Sequence, residues 1–205
     1  MADCNGYRHT LNFESETYVT YLASDYLEFH LRLKGLDSSL YFPSSITNCS
    51  NKLTGDKVSM KIRLLGKEMD KHFSEQFTEI RSKLDITTTS LKTAFFGVSN
   101  ELFSEGITWI NIVTLFVFSG EMAVTCIENG WFYHVNNLAH WLASYICNHL
   151  VAWIQDHGGW DGLVEYTENR EEQRNESSWP VFKRFCGVAA GLGALTLGAF
   201  FASKS

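Results

Sequence analysis

His134, His140, His149 and His157, with the five cysteines Cys4, Cys49, Cys126, Cys147 and Cys186, are the side chains from which a metal site or a nucleophile could be built. Their spacing builds neither. No H-E-x-x-H pair sets two imidazoles on one helical face, and no cysteine stands in a C-x-x-C pair. The cysteines are odd in number and scattered, as expected of buried or incidental thiols in a reducing compartment. The histidines are expected mostly at the surface or at helix flanks. No G-x-S-x-G elbow and no phosphate-cradling P-loop occurs, and Gly191-Leu192-Gly193 lies in an apolar run rather than after a strand. The residues therefore point to recognition rather than turnover: no enzyme activity, no metal and no cofactor is expected.

Composition narrows what is recognised. Of 205 residues, 45% are apolar and 14% aromatic, which suits one domain with a substantial core. A formal net charge of -6 argues against affinity for phosphate backbones, so nucleic acid is excluded as a partner. The stretch from Met1 to Ser15 mixes Asp3, Asn5, Arg8, His9 and Glu14 with few apolar groups and reads as no signal-peptide core. Phe185 to Ala202, by contrast, is an uncharged run behind Lys183 and Arg184. As a helix it would span about 27 Å at about 1.5 Å per residue, close to a bilayer's hydrocarbon core, and it is expected to be a tail anchor.

The elements that position these side chains are helical. Only two prolines occur, Pro43 and Pro180, and between them apolar residues recur at three and four rather than two. Tyr18, Tyr21, Leu22, Tyr26, Phe29, Leu31 and Leu33 mark a first helix stopping at Gly35. Leu36 to Asp56 turns to Ser, Thr, Asn and Gly and reads as a flexible loop. A second helix begins near Lys57, with Val58, Ile62, Leu65, Met69 and Phe73 on one stripe. Phe77, Ile80 and Leu84 predict a third, short helix; Leu91, Phe95, Val98 and Leu102 predict a fourth ending at Gly106. From Ile107 to Phe118 apolar residues point to every side, so that helix must be surrounded by others. Asn129 and Gly130 supply a turn, and a helix is expected over Trp131 to Trp153, with Leu138, Trp141, Leu142, Tyr145, Ile146 and Leu150 inward. Gly158 and Gly159 end it, Asp161 could cap a last short helix, and Thr167 to Ser178 reads as a charged, solvated link. The expected fold is all-α, a central apolar hairpin wrapped by amphipathic helices. One domain is expected over 1–170, with the flexible loop at 36–56, a linker at 171–184 and a C-terminal transmembrane anchor at 185–202.

Four stretches carry a resemblance. Asn100-Glu101-Leu102-Phe103-Ser104-Glu105-Gly106-Ile107-Thr108-Trp109 and Trp153-Ile154-Gln155-Asp156-His157-Gly158-Gly159-Trp160-Asp161 are similar to the first and second homology motifs of the Bcl-2 (B-cell lymphoma-2) family of apoptosis regulators. Ile62-Arg63-Leu64-Leu65-Gly66-Lys67-Glu68-Met69-Asp70 looks like the third motif, and Asp25-Tyr26-Leu27-Glu28-Phe29 through Lys34-Gly35 looks like the fourth. The resemblance implies a Bcl-2-like bundle whose second to fifth helices floor a groove for a partner's amphipathic helix. Carried over residue by residue, the groove is lined by Phe73, Phe77, Ile80, Leu84, Val98, Leu102, Val113 and Phe118, with Glu101 and Tyr166 at the rim and Ile110 and Asn111 at the family's glycine and arginine positions. The third motif itself is Val58, Ile62, Leu65, Gly66, Glu68 and Met69. Trp109 and Trp160 read as scaffold, since large indoles pin helices together. Gly106 and Gly159 read as backbone devices at tight turns.

Two departures bear on function. Where groove-bearing relatives read Asn-Trp-Gly-Arg, this chain reads Thr108-Trp109-Ile110-Asn111, and an asparagine makes no bidentate charged pair with a ligand's aspartate. Such charge-assisted bonds are worth roughly 1.5 to 3 kcal/mol. A groove leaning on apolar contacts follows, and Asn111→Arg is expected to tighten binding of aspartate-bearing helices. In the third motif the family's Gly-Asp-Glu is Gly66-Lys67-Glu68, so Lys67 either repels a neighbour's groove arginine or is simply a solvated position. The resemblance thus implies a pro-survival regulator that sequesters the death-motif helices of Bak-like, Bax-like and activator proteins at a membrane. That membrane is expected to be the mitochondrial outer membrane, facing the cytosol, with the endoplasmic reticulum or a partly cytosolic pool also open. The alternative is a Bax/Bak-like effector that permeabilises the mitochondrial outer membrane, a role the apolar run from Ile107 to Phe118 would also suit.

Overall fold

The computed structural model describes residues 16–37, 56–83 and 87–173, so the expectations placed on most of the 36–56 loop, on Leu84 and on the anchor at 185–202 lie outside the described residues. Among the described residues the fold is all-helical, as expected. Helix α1, Glu16–Leu33, buries Tyr18, Val19, Leu22, Tyr26, Leu27 and Leu31. It ends where Leu36 N donates to Leu31 O at 2.9 Å and Gly35 N to Arg32 O at 3.0 Å, satisfying carbonyls that a helix end leaves open. Helix α2, Lys57–Lys83, starts at Asp56, whose carboxylate accepts from Val58 N at 3.3 Å and from the Tyr18 hydroxyl at 2.8 Å.

The second and third helices expected from the sequence are this one helix bent at Phe73, where φ is -131° and ψ is 21°. Val58, Ile62, Leu65, Met69, Phe73 and Phe77 are all buried in the same core. No glycine or proline near the bend breaks the chain outright, so the backbone changes direction without a loop.

Helix α3, Leu91–Leu102, stops four residues before Gly106, and the turn closes there with φ +126°, a conformation that suits glycine. Helix α4, Trp109–Glu128, is capped by Thr108, whose hydroxyl accepts from Asn111 N at 3.2 Å. It sits at the centre, packed against α1 and α2 on one side and against α3 on another. Almost every side chain from Trp109 to Val124 is buried, which is what its apolar circumference requires.

Helix α5, Tyr133–Tyr145, completes the central hairpin. The single helix expected from Trp131 to Trp153 is interrupted by a π turn, Ile146–Leu150, before α6, Val151–Asp156. The wider turn still leaves Ile146, Leu150 and Ile154 inward, so apolar spacing alone cannot register it. Helix α7, Gly159–Gln173, packs on α2 and α6; it begins at Gly159 (φ +63°), with Asp161 inside its first turn rather than capping it.

The expected solvated link from Thr167 is corrected as far as Gln173. Thr167 is 1% exposed and its hydroxyl donates to Leu163 O at 2.7 Å, while Glu165 and Glu168 face water. The charges mark the outer face of an amphipathic helix, not the end of structure.

Candidate functional site

Four helices supply the residues assigned to the groove. Phe73 and Phe77 on α2, Val98 and Leu102 on α3, and Ile110, Val113 and Phe118 on α4 are all buried in one continuous apolar core. Ile80 lies on α2 and Leu84 outside the described residues. Glu101 on α3 and Tyr166 on α7 are half-buried, as rim positions would be. Phe95 stacks on Phe118 with ring centroids 6.3 Å apart and meets Phe96 edge-on at 5.3 Å, so this face carries extra aromatic surface that the stripe alone did not rank. In the free chain the described floor side chains are shielded from water.

Asn111 has an internal duty the sequence did not reveal. It is 4% exposed, and Nδ2 donates to Leu102 O and Gly106 O, each at 3.2 Å. Its amide protons brace the α3–α4 turn, satisfying carbonyls at the end of α3.

The third-motif residues Val58, Ile62, Leu65 and Met69 are buried, and Thr114 Oγ1 on α4 lies 3.5 Å from Met69 Sδ. Gly66 is where α2 meets the Tyr26 ring so closely that a Cβ would overlap the phenol. Glu68 lies 3.5 Å from Arg170 Nη2 on α7, and Lys67 is exposed to solvent. Trp109 and Trp160, read as scaffold, lie 6.3 Å apart and are joined by Trp153, which meets Trp109 edge-on at 5.1 Å, while Trp160 meets Phe116 at 6.5 Å.

Sequence reasoning missed a second constellation, where α1, α2 and α4 converge. His30 Nε2 is 3.0 Å from Glu121 Oε1, and Lys34 Nζ is 2.6 Å from Asp70 Oδ1 and 2.9 Å from Glu121 Oε1. His30 is 0% exposed, an exception to the expectation that most histidines lie at the surface or at helix flanks. A Cβ at Gly120 would lie 2.6 Å from the His30 ring, so α4 admits the imidazole only because that position has no side chain. Burial pushes the Glu121 carboxyl up, but the hydrogen bonds and charges of His30 and Lys34 outweigh it and hold the group at about 2. Burial, with Asp70 and Glu121 nearby, raises the Tyr26 phenol well above its ordinary value. The ligand atoms of His30, Asp70 and Glu121 lie within 4.8 Å of one another, a spacing compatible with a metal, yet the Lys34 ammonium already contacts both carboxylates. A signal existed: Glu121 is the lone charge between Glu105 and Glu128, and a charge in an all-apolar helix must find a partner.

Alongside this cluster, Arg63 on α2 donates to both carboxylate oxygens of Asp25 on α1, through Nε, 2.9 Å from Oδ2, and through Nη2 to Oδ1. Burial still wins at Asp25, whose carboxyl is raised despite the arginine.

Residues 62–160 match the family model described as apoptosis regulator proteins, Bcl-2 family. The chain is 36% identical over 110 residues to the apoptosis regulator Bcl-2 of Gallus gallus, covering 54% of this chain and 47% of that protein. It is 34% identical over 120 residues to the human (Homo sapiens) Bcl-2-like protein 1, covering 58% of this chain and 52% of that protein. It thus spans about half the length of the curated relatives it matches. Among solved structures, Trichoplax adhaerens trBcl-2L2 bound to trBak BH3 is 30% identical, with a TM-score of 0.64, covering 72% of this chain and 95% of that one.

Proposed function

The chain belongs to the Bcl-2 family of apoptosis regulators, whose members are not enzymes, and from that premise we propose that it is a pro-survival member holding a partner's death-motif helix. The observation that carries this reading is the trBcl-2L2 structure, in which a protein of the same fold holds the trBak BH3 segment. Here Phe73, Phe77, Ile80 and Leu84 with Val98, Leu102, Ile110, Val113 and Phe118 would receive the ligand's apolar stripe, and Glu101, Asn111 and Tyr166 would flank it.

Phe73, Phe77, Val98, Leu102, Ile110, Val113 and Phe118 are buried in the free chain, so entry of a helix exchanges intramolecular apolar contacts for intermolecular ones. Only the surplus of that exchange appears as affinity, which favours ligands offering a continuous apolar face. Asn111 already gives both amide protons to backbone carbonyls, so recognition leans on that face rather than on a charged pair. The ligands would be the helices of Bak-like, Bax-like and activator proteins. The run at 185–202 would hold the bundle on the cytosolic side of the mitochondrial outer membrane.

Two measurements test this. Calorimetry with isolated death-motif helices should show one-to-one binding that Phe77→Ala or Val113→Asp weakens; absence of binding by any of them refutes the groove. Dye-loaded liposomes then set the sign of the activity. The chain is expected to suppress leakage caused by a Bax-like or Bak-like protein, whereas leakage caused by the chain itself identifies an effector.

A further inference from the structure

Helix α2 rests on α4 mainly through an apolar stripe, but its Asp70 carboxylate comes within 4.8 Å of Glu121, a like charge buried in α4. The two are reconciled by α1: Lys34 Nζ reaches Asp70 Oδ1 at 2.6 Å and Glu121 Oε1 at 2.9 Å. We propose that Lys34 is a conformational clasp, so that α1 must be docked for the third-motif helix to stay docked on α4. The idea goes beyond groove binding and does not rest on it.

The physics is that of like charges in a poorly solvated site. Two carboxylates at this separation repel strongly unless a cation stands between them, and water reaches Glu121 poorly because it is 2% exposed. His30, also from α1, meets the same Glu121 oxygen, so leaving α1 withdraws it together with Lys34. Tyr26 from α1 also faces the clasp, its phenol raised by burial and further by both carboxylates.

Two further features make α2 able to move as a unit. Its backbone leaves helical geometry at Phe73, three residues beyond Asp70, which marks the hinge. On the near side of that hinge, Tyr18 holds Asp56 and Asp25 holds Arg63, so Lys57 to His72 is tied to α1 along its length. Loss of the clasp should therefore free α1 and this half of α2 together, uncovering Val58, Ile62, Leu65 and Met69 while α4 stays folded.

Hydrogen exchange read by mass spectrometry on the full chain tests this. Lys34→Met is expected to speed exchange by about tenfold or more in both α1 and Lys57–His72, with α4 as protected as in the wild type. Adding Asp70→Asn removes the repulsion and should restore protection to Lys57–His72 and, through the Tyr18–Asp56 and Asp25–Arg63 contacts, to α1 as well. Opening of α1 alone, simultaneous loss of protection in every helix, or unchanged exchange overturns the proposal. If Lys34→Met alone does not fold, rescue of folding by Asp70→Asn supports the clasp, and failure of that rescue rejects it.

Discussion

Helix α4 is held by rings at one end and by charges at the other. Near Trp109 it is pinned by Trp153 and Trp160, contacts that are apolar, numerous and tolerant of small shifts. Near Glu121 it is held by His30 and Lys34 through a few directional contacts that only the right partner can make. The aromatic end draws its stability from area, whereas the ionic end sets which helix sits where and is damaging when half removed.

The largest effect should come from the aromatic end. Trp160→Ala is expected to lower unfolding free energy by about 4 kcal/mol, as deletion of a buried large ring does, measured by urea denaturation. A loss below about 1 kcal/mol would mean the rings are not the main support of α4.

Acid should attack the other end selectively. Glu121 sits at about 2 when folded against an ordinary 4.5, so its contribution is complete above pH 4.5 and disappears as pH falls toward 2. It amounts to about 3 kcal/mol, and Glu121→Gln should flatten that part of the stability–pH curve. An identical curve in the variant would remove the charge cluster as a source of stability.

A double-mutant cycle sharpens the contrast further. Lys34→Met and Glu121→Met should each destabilise, yet together cost less than their sum by about 2 kcal/mol, because the double variant no longer leaves the buried Glu121 carboxylate without its lysine. Trp160→Ala combined with Glu121→Met should be close to additive, since the two ends share no described contact. The smallest effect is expected at Thr108→Ala, about 1 kcal/mol from loss of the cap on the α4 amides.

Most of the helices were legible because apolar spacing is local information. The α2 stripe from Val58 to Phe77, the all-round apolar α4 and the turns at Gly35, Gly106 and Gly130 all stand where the pattern places them. The bend at Phe73 and the π turn at Ile146–Leu150 were not legible, since both leave the inward spacing of buried residues intact. The role of α7 beyond Thr167 was hidden because a run of charges looks alike on a solvated link and on the outer face of a helix.

The candidate site divides along the same line. Periodicity marks which aromatic and aliphatic residues turn inward, and the assignment of some of them to a helix-binding floor is what the family resemblance implies. That Asn111 spends its amide on the α3–α4 turn, and that Lys34, Asp70 and Glu121 meet, was decided only by tertiary structure. Residues separated by tens of positions are brought within hydrogen-bond reach by the crossing of helices, and a crossing is set by packing among all the helices rather than by any one of them.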